Sequence, residues 1–137
     1  HPKWDALLKP IAVLESSISQ IHNVKKGSFV GYDHGWKAPV DSKIATLPLG
    51  HADGIGRHFG HHKGSVLING EQAFIVGNVC MDMLMVDVTK IKCKELDNVE
   101  FFGTTHNTAA VFSKQGQSIS YEVLSGLGPR IKRVVKE

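Results

Sequence analysis

Four of the eight histidines of this 137-residue chain fall in one run, Gly50-His51-Ala52-Asp53-Gly54-Ile55-Gly56-Arg57-His58-Phe59-Gly60-His61-His62. Imidazoles with one carboxylate are good ligands for zinc and related metals. The run does not form a zinc-protease motif, however. Its five glycines between Gly50 and Gly64 describe a mobile, solvated loop that would position ligands poorly, so no metal is expected. Nor do they make a dinucleotide fingerprint, because no strand–turn–helix unit with a downstream acid surrounds them.

All three methionines lie in a second run, Val79 to Val88. Strand alternation there sends Met83, Met85 and Asp87 to one face and Leu84, Val86 and Val88 to the other, which is core material. Cys80 has no base positioned beside it in sequence and reads as a packed thiol. The two tyrosines, Tyr32 and Tyr121, each adjoin glycine or polar residues, where a phenol can bury its ring and offer its hydroxyl to a cleft. On composition alone each reads as an ordinary packed side chain.

The elements that must carry these residues are short. Turn residues recur at Lys26-Gly27, Asp33-His34-Gly35, Asp53-Gly54, Asn69-Gly70, Gly77-Asn78, Asp97-Asn98 and Gly103. Between them, β-branched and aromatic segments predict strands over Ile11–Val24, Ser28–Tyr32, Lys43–Leu47, Ser65–Ile68, Gln72–Val76, Leu84–Val88 and Glu100–Phe102. Asn69-Gly70 is the sharpest local signal, since both residues accept the positive φ of a type I′ hairpin turn. Better helix formers follow in Thr108–Gln115 and Ser120–Leu127, with Gly116 and Gly128 as stops and Pro129 opening a last strand, Arg130–Val135. Many short strands with two late helices predict a mainly β fold, a small closed Greek-key-like barrel with the helices over one end. No repeat or linker divides residues 1–137, which read as one domain.

Composition bounds the rest. With 42% hydrophobic and 21% charged residues, the chain can bury a core and is not disordered. Its apolar runs fall far short of the roughly 20 residues a membrane span needs. Sixteen basic against thirteen acidic residues give a net +3, too weak a bias to demand nucleic acid even with Arg130, Lys132, Arg133 and Lys136 clustered at the end. Two cysteines suit a reducing compartment, and the cytoplasm is expected. The opening His-Pro-Lys, without methionine or a signal-type segment, reads as part of something longer.

Taken in order, Gly31-Tyr32, Thr46-Leu47-Pro48-Leu49-Gly50-His51-Ala52-Asp53-Gly54, Gly77-Asn78-Val79-Cys80-Met81-Asp82-Met83, Ile119-Ser120-Tyr121-Glu122-Val123-Leu124 and Pro129-Arg130-Ile131 resemble the C-terminal domain of the alanine racemase family. The likeness runs from about Leu8 to the chain's end. It implies a β-domain that follows an N-terminal β/α barrel, in a head-to-tail homodimer dependent on pyridoxal 5′-phosphate and serving peptidoglycan synthesis. The lysine that binds the cofactor lies in that barrel, which needs about 250 residues and cannot be contained here. This chain alone is therefore expected to be inactive.

The resemblance also implies roles. Tyr32 matches a tyrosine that reaches into the partner subunit's site and acts as the base on L-alanine, opposite the cofactor's lysine. Racemisation needs two such bases, one removing the α-proton and one returning it on the other face, while the cofactor ring takes up the charge. A free phenol, with a pKa of about 10, serves naturally as donor and needs help to act as acceptor. Met81 matches a residue whose backbone N–H binds the substrate carboxylate, with Asp82 holding that turn. Tyr121 matches a tyrosine that hydrogen-bonds the cofactor phosphate and narrows the pocket to favour a methyl side chain. Arg57 matches an arginine lining the access corridor. His51 stands where many members have a tyrosine at the gate, and Asn78 where many have a corridor arginine. Competing readings are a stand-alone β-barrel binding nucleic acid or protein and a metal-dependent hydrolase built on His51–His62; a ligase–racemase fusion of which this is one part is compatible with the resemblance.

Overall fold

The computed structural model describes residues 7–136. Among these residues nine strands form, β1 (Leu14–Ser17), β2 (Gln20–Val24), β3 (Phe29–Val30), β4 (Trp36–Lys37), β5 (Ser42–Leu47), β6 (Ser65–Ile68), β7 (Glu71–Val76), β8 (Leu84–Asp87) and β9 (Asn98–Phe102). Two short helices follow, α1 (Ala109–Gln115) and α2 (Ser120–Ser125). Seven strands make one antiparallel sheet in the order β1-β9-β6-β7-β8-β5-β2, and β3 pairs with β4 separately.

The expected mainly β fold is present as a curled, half-barrel seven-stranded sheet, and its pairing corrects the single strand predicted over Ile11–Val24. The segment is broken at Ile18-Ser19, where pairing changes sides. Ile18 N–H bonds to Asp97 O at 3.1 Å, whereas Ser19 N–H bonds to Thr46 O at 2.9 Å. One continuous stretch thus supplies both ends of the sheet, β1 against β9 and β2 against β5. These two end strands are consecutive in the chain, and each pairs on one side only. Arg130–Val135, despite its β-branched residues, is irregular beyond its first turn. It finds no strand to pair with, and Arg133 Nη2 instead reaches back to Leu127 O at 2.9 Å.

The Asn69-Gly70 hairpin forms as predicted, with φ of 52° and 79° joining β6 to β7 in the register Ile68↔Glu71. Alternation in β8 also holds. Leu84, Val86 and Val88 enter the main core, while Met85 faces a smaller cluster with Ile44, Val76 and Cys80. Thr108 caps α1, its Oγ1 accepting the Val111 N–H at 3.3 Å, and α2 ends at Gly126 rather than Gly128. Phe112 of α1 plugs the barrel end, stacking on Phe59 with ring centroids 4.5 Å apart and meeting Phe101 and Phe102 at 6.2 and 5.8 Å.

The glycine-rich run from Gly50 to Gly64 is not a solvated loop. It folds into two 3₁₀ turns, His51–Asp53 and Arg57–Phe59, and buries Asp53, Ile55 and Phe59 completely or nearly so.

Candidate functional site

Tyr32 opens a 3₁₀ turn directly after β3, not the end of a strand. Gly31, at φ 78°, reverses the chain, and Asp33 and His34 follow at φ 55° and 50°. The turn lifts the Tyr32 ring off the barrel, 70% exposed, and its hydroxyl has no partner among the described residues. Its backbone is held firmly. The Tyr32 carbonyl accepts from Gly35 N–H at 3.1 Å and from Asn78 Nδ2 at 3.0 Å. Gly35 must be glycine-sized here, because a Cβ would lie 2.9 Å from Asn78 N.

Asn78 in turn meets the histidine-rich run. Arg57 Nη2 donates to Asn78 Oδ1 at 3.2 Å, and His61 Nε2 lies 3.0 Å from the same oxygen. Arg57 and His51 line a cleft of about 470 Å³ together with His58, Phe59, Ser118 and Glu122. His51 is tied to the next segment, its N–H donating to Cys80 O at 2.9 Å, and Ala52 N–H donating to Met81 O at 2.8 Å. This approach needs Gly50, where a Cβ would fall 2.5 Å from Cys80 O. Met81 is 63% exposed, and the N–H groups of Met81 and Asp82 have no acceptor among the described residues. The Cys80 thiol turns inward. Burial, reinforced by the nearby Asp82 carboxylate, pushes its pKa up, as befits packing rather than nucleophilic use.

Tyr121 sits in the first turn of α2, 78% exposed, with its hydroxyl free of partners among the described residues and its carbonyl accepting Ser125 Oγ at 2.6 Å. Glu122, whose carboxylate takes the Ser118 hydroxyl, and Val123 line the cleft from this helix. The helix is held by close backbone contact, since a Cβ on Gly54 would meet Gly126 O at 2.5 Å. The structure therefore links Tyr32, Asn78 and Arg57 by hydrogen bonds, and pairs the backbone of His51-Ala52 with that of Cys80-Met81. Tyr121 joins them only across the cleft, by way of its helix. No group of three potential metal ligands converges among the described residues.

Two residues without a predicted role prove central. Asp53 is fully buried, its Oδ2 accepting Gly50 N–H at 2.9 Å and its Oδ1 lying 3.2 Å from Arg130 Nε. That ion pair is misaligned for a hydrogen bond, leaving Oδ1 otherwise unpartnered. It clamps the chain's end against the turn that carries His51. An acid three residues after Gly50, the spacing of a turn cap, was the local signal for half of it.

Residues 11–135 match the family model described as alanine racemase, C-terminal domain. The chain belongs to the alanine racemase C-terminal domain family. It is 39% identical over 127 residues to the alanine racemase of Deinococcus deserti, covering 93% of this chain and 36% of that one. With the alanine racemase of Deinococcus radiodurans it shares 33% over 135 residues, 98% of this chain and 38% of the relative. The chain thus spans little more than a third of such relatives. The biosynthetic alanine racemase from Pseudomonas aeruginosa superposes with a TM-score of 0.90 at 30% identity, over 98% of this chain and 37% of that structure. The alanine racemase from Bartonella henselae, solved with covalently bound pyridoxal phosphate, gives 0.83 at 33% identity over 89% and 34%. No described helix is long and apolar enough to cross a membrane.

Proposed function

We propose that residues 1–137 form one domain, the C-terminal β-domain of a cytoplasmic alanine racemase that interconverts L- and D-alanine as a homodimer. A separate β/α barrel carries the pyridoxal phosphate on its lysine. The observation that carries this reading is the Tyr32 phenol, raised from the surface on a turn whose backbone is hydrogen-bonded on two sides. A side chain serving the domain's own core would turn inward. This one is presented to a neighbour.

Tyr32 in this reading exchanges the α-proton of alanine on one face of the partner subunit's site, the barrel lysine serving the other. The free N–H of Met81 suits a substrate carboxylate, with Asp82 completing the same turn, because an unpartnered backbone donor favours an anion. The free Tyr121 hydroxyl suits an oxyanion such as the cofactor phosphate, so this chain's residues fit the edge of a pyridoxal phosphate site and leave its covalent anchor to the barrel. When bound, the cofactor supplies an electron sink for the α-carbon. His51, Arg57 and Asn78 line the approach, Arg57 bringing the fixed positive charge that draws a zwitterion's carboxylate.

Tyr32→Phe in the full-length holoenzyme tests the assignment. Turnover from L- to D-alanine is expected to fall by about 10²- to 10⁴-fold, the usual contribution of a positioned acid–base group, with cofactor absorbance unchanged. Parent rates in both directions would remove Tyr32 from the mechanism.

A further inference from the structure

The geometry points to Asn78 as the residue that positions Tyr32 for proton transfer, acting as a neutral bridge between the tyrosine's turn and Arg57 with His61. The inference rests on the Tyr32 reading above. Arginine only donates and a backbone carbonyl only accepts, so the Asn78 amide has one possible orientation. Oδ1 faces Arg57 at 3.2 Å, and Nδ2 faces the Tyr32 carbonyl at 3.0 Å. His61 Nε2, 3.0 Å from that oxygen, must then carry its proton. An arginine at this position could reach the Tyr32 carbonyl but could not accept from Arg57 or His61. The amide does both.

The turn needs such a hold. Asp33 and His34, at φ 55° and 50°, occupy a backbone region sparsely used by residues other than glycine. Such conformations persist where surrounding contacts over-determine them. Asn78 holds this turn through its side-chain amide, and its backbone fills the space behind Gly35. Loss of the amide leaves the Tyr32 carbonyl with the Gly35 N–H alone, and the phenol loses its fixed distance to the proton it exchanges. The Arg57 and His61 contacts fix the amide's rotation, so they act on Tyr32 through Asn78.

A double-variant cycle in the full-length holoenzyme tests this. Asn78→Ala and the near-isosteric Asn78→Asp, which keeps the acceptor oxygen but cannot donate to the Tyr32 carbonyl, are each made with Tyr32 intact and in a Tyr32→Phe background. With Tyr32 present both should lower L-to-D kcat by about 10- to 100-fold, the scale of an ångström-sized misplacement, with KM nearly unchanged. In the Tyr32→Phe background the same changes should cost less than about twofold, because sites acting as one unit are not additive. Equal losses in both backgrounds, or no loss with Tyr32 intact, overturn the role of Asn78 while leaving Tyr32 assigned. Tyr32→Phe at parent rates overturns both. Should Asn78→Ala not accumulate as folded protein, Asn78→Asp alone decides.

Discussion

Replacing Arg130 by alanine should destabilise the domain far more than a half-exposed arginine suggests. Its partner Asp53 is fully buried, and Arg130 Nε, 3.2 Å away, is the only cation within ion-pair distance of that carboxylate among the described residues. Removing one member of a buried pair costs about 3–5 kcal/mol, since a charge is left without compensation. Arg130 keeps 53% of its side chain in solvent, and water screens part of the attraction, which lowers the expectation to about 2–3 kcal/mol. Unfolding entropy near 2.1 cal/mol/K per residue converts this to a drop in Tm of about 7–10 °C for a chain of this length. Circular dichroism melts of this chain and of Arg130→Ala measure it. Asp53→Asn keeps an acceptor for Gly50 N–H, and combining it with Arg130→Ala should be no worse than Arg130→Ala alone, because no buried charge then remains. A Tm within about 2 °C of the parent, or a double variant equal to the sum of the singles, would refute the reasoning.

In the full-length enzyme, Tyr121→Asn should raise kcat/KM for serine relative to alanine by about tenfold, the scale on which pocket volume discriminates; competition assays with both substrates read the ratio, and an unchanged ratio would separate Tyr121 from selectivity. Two aspartates should contribute to acid sensitivity. The Lys26 N–H and then Lys25 hold the Asp41 carboxyl below its usual range, and the Lys94 N–H with the Asn69 amide does the same for Asp97. Both groups then bind protons less readily folded than unfolded, so their contribution is complete above the ordinary aspartate value of about 3.9 and declines as pH falls through the lowered folded values. Asp97→Asn should flatten the fall in Tm below about pH 4, and pH profiles parallel to the parent's would contradict it.

Local chemistry was legible. Asn69-Gly70 announced its hairpin because both residues tolerate the turn's φ, and the period-2 pattern of Met83–Val88 named the faces of β8 before any partner strand was known. Features that depend on distant partners were not. The break at Ile18-Ser19 exists because pairing passes there from the β9 side to the β5 side, and the β-rich Arg130–Val135 stays irregular, with Arg133 bonded back to Leu127 O. Glycines between Gly50 and Gly64 suggest mobility in the sequence, yet Gly50 and Gly54 are small because carbonyls of other segments approach within contact distance. The Asp53–Arg130 pair joins residues far apart in the chain, so neither half carried a local signal of the other. At the site, residue types alone left Tyr32 and Tyr121 as ordinary packed side chains. The family resemblance singled them out, and the exposure of both is a structural finding.

The split of one segment between β1 and β2 sets an order of assembly. Ser17 and Gln20 guard opposite flanks of the cylinder, and the seam against β9 cannot be sewn until residues 98–102 have been made. Until then the cylinder stays unzipped, with strand flanks able to recruit foreign chains. A single nick between Ser17 and Gln20 would part the seam on the β9 side from the seam on the β5 side, so one short stretch of chain carries both.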